Sequence, residues 1–229
     1  MKLRKVQYDL EFTHILTFQE NYRSKIAPIF QEPNLRYGLE NIGTLEESIK
    51  LIFKELGLVF QCNMGAVRVM FEGDPKDFVK GGSPQWDLFV QVVNCIKSIE
   101  GFGHITRHRM QVHAVDINNE EQEVFELKRD TISNSKYLKF APYSKFNEFA
   151  IIYENGIEGD GSKVTFGNFS ESDINKFNLS PFNTAYNKDL FSGIGYIADV
   201  IAHRPLSSFS KSSYKDILEE VNNVITQFD

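Results

Sequence analysis

Residues 58–116 constrain the fold most, because strand-like and helix-like spacings of apolar residues follow each other there. Apolar residues alternate along 66–71, which predicts a strand with one buried face. Ser83 and Pro84 then provide the residue types favoured at the N-cap and first position of a helix. The alternation returns over 104–116. The stretch therefore predicts a strand–helix–strand unit whose helix packs on a sheet.

Helical spacing of apolar residues predicts three strong helices, over residues 44–56, 84–100 and 213–228. In the first, Thr44 and Glu47 have the spacing of a capping box. Its apolar stripe consists of Leu45, Ile49, Ile52, Phe53 and Leu56. The last begins with Ser213 as its predicted N-cap. Gly101 suits the left-handed residue that follows the end of a helix.

Alternating or continuous apolar runs predict the remaining strands. These runs cover residues 3–18, 35–42, 122–130, 148–155 and 194–203. Asn118 and Asn119 indicate a hairpin turn, and the glycines between 156 and 161 indicate a second one. Short helices are expected over 20–30 and 172–177. Irregular sequence over 131–147 and 178–192 predicts connections instead of regular elements.

Together these elements predict an α+β fold. We expect a mostly antiparallel sheet, covered on one face by long amphipathic helices, with a ferredoxin-like strand–helix–strand unit. The first half, residues 1–130, holds the strand–helix–strand unit. The second half, residues 131–229, holds a hairpin, a strand and the last helix. We expect the two halves to pack as one unit.

Composition limits the classes of function. The chain has 229 residues and a formal net charge of −6, which disfavours a general nucleic-acid binder. Cys62 and Cys95 are too few for a disulfide framework or a zinc site, and both lie in apolar segments typical of buried thiols. No apolar run follows the basic N-terminus or reaches the length of a membrane span. We therefore expect a cytoplasmic protein without membrane contact.

The densest polar cluster lies at the start of the strand that follows the central helix. If this segment is a strand, Arg107, Arg109 and His113 share one face, whereas His104 and His108 share the other. Guanidinium groups match phosphate oxygens, so Arg107, Arg109 and His113 are candidates for an anion-binding stripe. A histidine among His104, His108 and His113 is a candidate general base in metal-free RNA cleavage. The alternative interpretation is a solvated strand face whose cations offset acidic neighbours.

Other motifs point away from cofactors and metals. His104 and His108 would lie roughly 13 Å apart on a strand, which is too far for one ion. Gly101 and Gly103 lack the third glycine of a dinucleotide fingerprint and follow a helix. Residues 156–163 favour a hairpin turn over a phosphate-binding loop. We expect no cofactor and no bound metal.

Three segments resemble a sporadically distributed family of uncharacterised bacterial proteins. They are Trp86-Asp87-Leu88-Phe89 at a helix start, Arg107-His108-Arg109-Met110 in a strand, and Ile197-Ala198-Asp199-Val200 before the last helix. The chain departs from the family at 109–112, where a Gly-Leu-Arg-Tyr-like run is expected. The resemblance covers about two thirds of the arrangement and implies no particular activity, because the family has no established one.

Two functions from different classes remain open. The sequence contains no recognisable catalytic motif, which favours an intracellular binding or interaction module with a protein partner or a second copy of the chain. The alternative is an RNA-binding protein or a metal-independent endoribonuclease that uses the face formed by Arg107, Arg109 and His113. Asp199 and His203 form another polar pair, for which no third catalytic partner is identifiable.

Overall fold

A computed structural model describes residues 1, 3–31, 35–118, 126, 150–157, 159–174 and 193–228. Within these ranges the fold is an α+β arrangement of one nine-stranded antiparallel sheet and three α-helices. The strands are β1 (Leu3–Phe12), β2 (Leu35–Glu40), β3 (Ser48–Phe53), β4 (Leu58–Cys62), β5 (Ala66–Glu72), β6 (Ile105–Asn118), β7 (Ala150–Ile157), β8 (Asp160–Ser170) and β9 (Ile194–Pro205). The helices are α1 (Phe18–Ile26), α2 (Pro84–Lys97) and α3 (Lys211–Ile225).

The order of strands across the sheet is β2-β3-β4-β5-β1-β6-β9-β8-β7. The predicted strand–helix–strand unit is β5, α2 and β6, but its two strands are not neighbours. The first strand of the chain, β1, lies between them and is antiparallel to both. Strands from both predicted halves share this one sheet, because β6 pairs with β9 from Arg107 to Asn118.

A single hydrophobic cluster joins the three helices to one face of the sheet. Tyr8 of β1 lies at its centre and is fully buried. Its ring packs edge-on against Tyr214 of α3 at 4.9 Å and against Phe89 of α2 at 5.8 Å. Because side chains alternate along a strand, Asp9 and its neighbours at odd positions point to the opposite face.

The helices begin and end at residues whose types favour helix termini. The Ser83 hydroxyl accepts a hydrogen bond from the Trp86 backbone N–H at 3.4 Å, and Pro84 is the first helical residue, as predicted. Gly101 has a φ of +87°, which confirms the predicted left-handed conformation. The N-cap of α3 is Ser210 instead of Ser213, because Ser210 and Ser213 form a reciprocal capping box.

The helix predicted over residues 44–56 is wrong, since this segment contains strand β3. Glu47 does not cap a helix. Its carboxylate accepts hydrogen bonds from the Tyr22 hydroxyl and the Gly43 backbone N–H, both at 2.8 Å. Leu45 of the predicted stripe is 70% exposed, whereas Ile52 is buried on the sheet face away from the helices.

The other predicted elements agree with the structure to different extents. The first strand ends at Phe12 and a helix begins at Phe18, so the strand predicted over 3–18 is too long. The strands at 35–42 and 194–203 and the hairpin after residue 148 are confirmed by β2, β9 and the β7–β8 pair. The turn at 118–121, the strand at 122–130 and the connections at 131–147 and 178–192 lie largely or wholly outside the described residues.

Candidate functional site

The sheet face opposite the helices carries a continuous row of polar side chains from β5 to β9. We call this set the polar face, and it consists of Lys5, Gln7, Asp9, Arg68, Arg109, Gln111, His113 and Asp199. The strand register places these side chains next to one another: Asp9 lies between Arg68 and Arg109, and His113 lies between Lys5 and Asp199. Three neighbouring apolar side chains, Ile52, Val59 and Met70, continue this face toward β2.

Asp9 is the centre of the hydrogen bonds on the polar face. Its side chain is only 4% exposed and binds Arg68 through two hydrogen bonds of 2.9 and 3.3 Å. Arg109 donates to the same carboxylate at 3.3 Å, and Gln7 donates at 3.0 Å. Because a buried carboxylate requires compensating partners, these donors make its position in the sheet possible.

Gln111 links this cluster to the next acidic residue. Its amide oxygen accepts from Arg109 at 2.7 Å, and its amide nitrogen donates to Asp199 at 2.9 Å. His113 Nε2 lies 3.5 Å from Asp199 Oδ1. Burial lowers the pKa of His113, and the Asp199 carboxylate opposes that effect while Lys5 and Arg109 add to it.

Lys5 and Glu72 are register partners beside His113. Burial lowers the pKa of Lys5 to about 8, although the nearby Glu72 carboxylate raises it. Burial raises the pKa of Glu72 to about 7, and Lys5 opposes this increase. The Glu72 Oε1 atom is buried and has no hydrogen-bond partner among the described residues.

Arg107 lies at the end of the same strand face, outside the central cluster. Its guanidinium binds Glu11 through Nε at 2.8 Å, and the two side chains are 34% and 26% exposed. His203 is the register partner of Arg109. Burial, Arg109 and Arg107 lower the pKa of His203, and its Nδ1 atom is buried without a hydrogen-bond partner in the described part of the chain.

The two other histidine candidates do not join this face. His108 points toward the helices, is 3% exposed, and lies 3.0 Å from the Tyr8 hydroxyl through Nδ1. Burial, together with the nearby Arg204, lowers the pKa of His108 to about 4. His104 precedes β6 and is exposed. The structure therefore brings Arg107, Arg109 and His113 to one face and separates them from His104 and His108.

The sequence indicated that the cations of this face could offset acidic neighbours, but it did not identify Asp9, Glu11 and Asp199 as those neighbours. The alternation of Lys5, Gln7, Asp9 and Glu11 predicted a solvated strand face, but Lys5 and Asp9 are buried. The available signal was that charged residues of both signs occur in the runs predicted as strands over 3–18 and 104–116. Across the polar face the charges of Lys5, Arg68 and Arg109 are largely offset by Asp9 and Asp199.

A second candidate site is the edge of the sheet at β7. All eight residues of Ala150–Ile157 are exposed. Four of them are large and apolar: Ile151 is 51% exposed, Ile152 62%, Tyr153 61% and Ile157 78%. Tyr153 continues the buried row formed by Val112, Val200 and Val164 on the helix side of the sheet, so the apolar row extends beyond the part that is covered.

Two negative findings concern the described residues. They contain no group of three or more histidine, cysteine or acidic side chains arranged to hold a metal ion. Their helices include none with the length and apolar character required to cross a membrane.

The fold and the two surfaces define an α+β protein with an antiparallel sheet, a paired polar face and an apolar sheet edge. No protein-family model matches the chain, and no curated protein matches it either. The resemblance to a family of uncharacterised bacterial proteins stays a prediction.

Proposed function

We propose that this protein is an interaction module that binds a protein partner through the edge strand β7. The proposal depends on one observation, the exposure of four large apolar side chains on a strand at the edge of the sheet. An edge strand presents unpaired backbone N–H and C=O groups, which an added strand can pair. The exposed apolar side chains would supply the area that such pairing buries.

Strand β2, at the opposite edge of the sheet, differs from β7 in length and in charge. Strand β2 has six residues, and Arg36 and Glu40 are charged and exposed on it. Charged side chains on a short strand are a common protection against unwanted pairing. Strand β7 has eight residues and one charge, Glu154. In charge, the two edges therefore differ: β2 carries this protection, whereas β7 carries little of it.

The polar face favours a structural role within this module. Arg68 and Arg109 bind Asp9, and Arg107 binds Glu11, so the guanidinium groups already have carboxylate partners. We also propose an intracellular location, which the presence of two free thiols, Cys62 and Cys95, supports. A ferredoxin-like character of the unit formed by β5, α2 and β6 remains a prediction.

Photo-crosslinking at matched positions tests the interaction. A benzophenone amino acid replaces Tyr153 on β7 or, as the control, Tyr37 on β2. The two tyrosines are 61% and 62% exposed. We expect protein adducts from position 153 in cells that produce the chain, and far fewer from position 37. Equal yields at the two positions, or none at 153, would contradict the proposal.

RNA binding is a second candidate, favoured by an excess of guanidinium groups at one end of the sheet. Arg68, Arg107 and Arg109 share two carboxylates, Asp9 and Glu11. Among the described residues, three guanidinium groups therefore share two carboxylates at this end of the face, and burial lowers the pKa of the nearby His113. Single-stranded RNA can bind such a sheet face through its phosphates and bases.

A gel-shift assay with mixed single-stranded RNA at two salt concentrations tests this alternative. If the face binds phosphates, affinity falls with salt, because binding releases counterions. The double variant Arg107→Ala/Arg109→Ala should then bind more weakly. An absence of binding at low salt, or equal binding by the variant, removes the RNA candidate and leaves the protein-interaction proposal unaffected.

A further inference from the structure

We infer that the partner at β7 is a second copy of the chain, paired antiparallel with Ile152 on the two-fold axis. This inference builds on the proposed function, since it names the occupant of the same edge. It rests on the backbone orientation of β7, on the order of its side chains and on its charge.

The hairpin geometry determines which backbone groups of β7 point outward. Ile157 pairs with Asp160, so only two residues connect β7 to β8. The pair that closes a two-residue hairpin exchanges both backbone hydrogen bonds. Since orientation alternates along the strand, Ile151, Tyr153 and Asn155 also bond toward β8. The backbone groups of Ala150, Ile152, Glu154 and Gly156 therefore point away from the sheet.

Pairing centred on Ile152 matches apolar residues with apolar residues. Ile152 lies opposite Ile152 of the second copy, and both bond through their outward backbone groups. Ile151 lies opposite Tyr153 of the second copy, and aromatic side chains paired with β-branched ones stabilise antiparallel strands. Glu154 lies opposite Ala150 of the second copy, so the two acidic side chains are kept apart.

The neighbouring registers are less favourable. Centring on Tyr153 places Ile152 opposite Glu154 of the second copy, which sets a charge against an apolar side chain. Centring on Glu154 places two carboxylates opposite each other, and like charges directly opposite destabilise a strand pair. Self-pairing therefore has one preferred register.

The charge of the edge favours a second copy over a charged foreign strand. The single charge of β7, on Glu154, already lies 3.6 Å from Lys163 of the adjacent strand. No unbalanced charge on β7 selects a partner of opposite sign.

A two-fold axis perpendicular to the sheet also places both helix layers on the same side. The apolar row that passes through Val164 and Tyr153 then continues onto Ile151 of the second copy.

Sedimentation of the whole chain over about 1 µM to 1 mM, a range that covers weak and moderate affinities, tests the dimer. We expect a concentration-dependent dimer for the wild type. Ile152→Lys should raise the dissociation constant by at least about tenfold, because it places two ammonium groups on the axis. The control Tyr37→Lys makes a similar change on the other edge and should dimerise like the wild type.

Disulfide trapping tests the register. In a Cys95→Ser background, Ile152→Cys places two thiols in an opposed hydrogen-bonded pair with Cα atoms about 5.5 Å apart, which suits a disulfide. Glu154→Cys is the matched control. In this register position 154 lies opposite Ala150 of the second copy, so the two introduced thiols would be too far apart to bond. We expect a covalent dimer from Ile152→Cys alone under mild oxidation. A covalent dimer from Glu154→Cys, or none from either variant, overturns the register.

The outcomes for the dimer and for the proposed function can be separated. A wild-type chain that is monomeric over the whole concentration range overturns self-pairing. If benzophenone at position 153 then crosslinks a different protein, the edge is an interaction site with another occupant. If position 153 crosslinks no protein at all, the proposed function fails together with the dimer.

Discussion

Asp9 accepts hydrogen bonds from three side chains, Gln7, Arg68 and Arg109, while its own carboxylate is almost completely buried. At the scale of single residues, the polar face depends on this carboxylate more than on any arginine. The arginines are partly exposed and can be hydrated, with side-chain exposures of 36% for Arg68 and 21% for Arg109. The carboxylate has no comparable access to water.

Asp9→Asn should therefore destabilise the fold substantially. The change replaces one buried acceptor oxygen of Asp9 with an amide nitrogen that faces the donors of Gln7, Arg68 and Arg109. A buried polar group that loses its hydrogen-bond partners costs about 1–3 kcal/mol. Urea denaturation measures the free energy of unfolding. Glu11→Gln is the control, because its partly exposed pair with Arg107 should contribute below about 1 kcal/mol. Similar losses for the two variants would contradict a special role for Asp9.

His108 should make stability depend on pH. Its pKa is lowered from 6.5 to about 4 by burial, so the unfolded chain takes up a proton at a higher pH than the folded one. The contribution of neutral His108 to the free energy of unfolding is complete above about pH 6.5 and is lost as the pH falls toward 4. His108→Gln should lose less unfolding free energy over this interval than the wild type. Since His113 and His203 are present in both proteins, an identical pH dependence would show that His108 does not titrate this way.

Much of the residue-scale arrangement on β6 was predictable. Alternation alone placed Arg107, Arg109 and His113 on one face and His108 on the other, which the structure confirms. Their partners were not predictable, because cross-strand neighbours depend on the strand order. Asp9 and Arg109 are 100 residues apart in the chain.

At the scale of elements, β3 shows why an apolar pattern can predict the wrong structure. The strand is buried on both faces: Leu51 contacts the main core, and Ile52 packs with Val59 and Met70 on the polar side. A strand buried on both faces does not alternate, so its apolar residues also fit helical spacing. Polar residues interrupt the apolar residues of β6 and β9, and the pattern therefore predicts these two strands correctly.

The β6–β9 pair should be sensitive to a side chain at Gly195. A Cβ there would overlap the backbone carbonyl of Asp116 on the neighbouring strand, which cannot move without separating the two strands. Gly195→Ala should cost about 1–3 kcal/mol, as overpacking usually does. Gly38→Ala on β2 is the control, because its Cβ would meet no atom within 4 Å. Equal unfolding free energies for the two variants would contradict the close approach.

At the scale of the whole molecule, net charge and the apolar edge act in opposite directions on self-association. Each chain has a formal net charge of −6, so two copies repel each other at low salt. The strand pairing proposed for β7 depends mainly on apolar contacts and backbone hydrogen bonds. Salt screens the repulsion without weakening those contacts.

Dimerisation should consequently strengthen as the salt concentration rises. Sedimentation at about 50 mM and about 500 mM sodium chloride compares weak with strong screening of the repulsion between the two chains, because the Debye length shortens as the salt concentration rises. We expect a lower dissociation constant at the higher concentration for the wild type, and the same trend for Tyr37→Lys. A dimer that dissociates at high salt would instead depend on attraction between opposite charges, which contradicts the apolar edge as its basis.

The position of β1 in the middle of the sheet has a consequence for synthesis on the ribosome. This strand is made before both of its partners, since β5 begins at Ala66 and β6 at Ile105. At roughly 5–20 residues per second, the segment that becomes the centre of the sheet waits several seconds for its second neighbour. During this interval one edge of β1 is unpaired, and Tyr8 also lacks the Tyr214 ring of α3 that packs against it in the folded chain. The nascent chain should therefore be a better substrate for a chaperone before residue 118 emerges than after it.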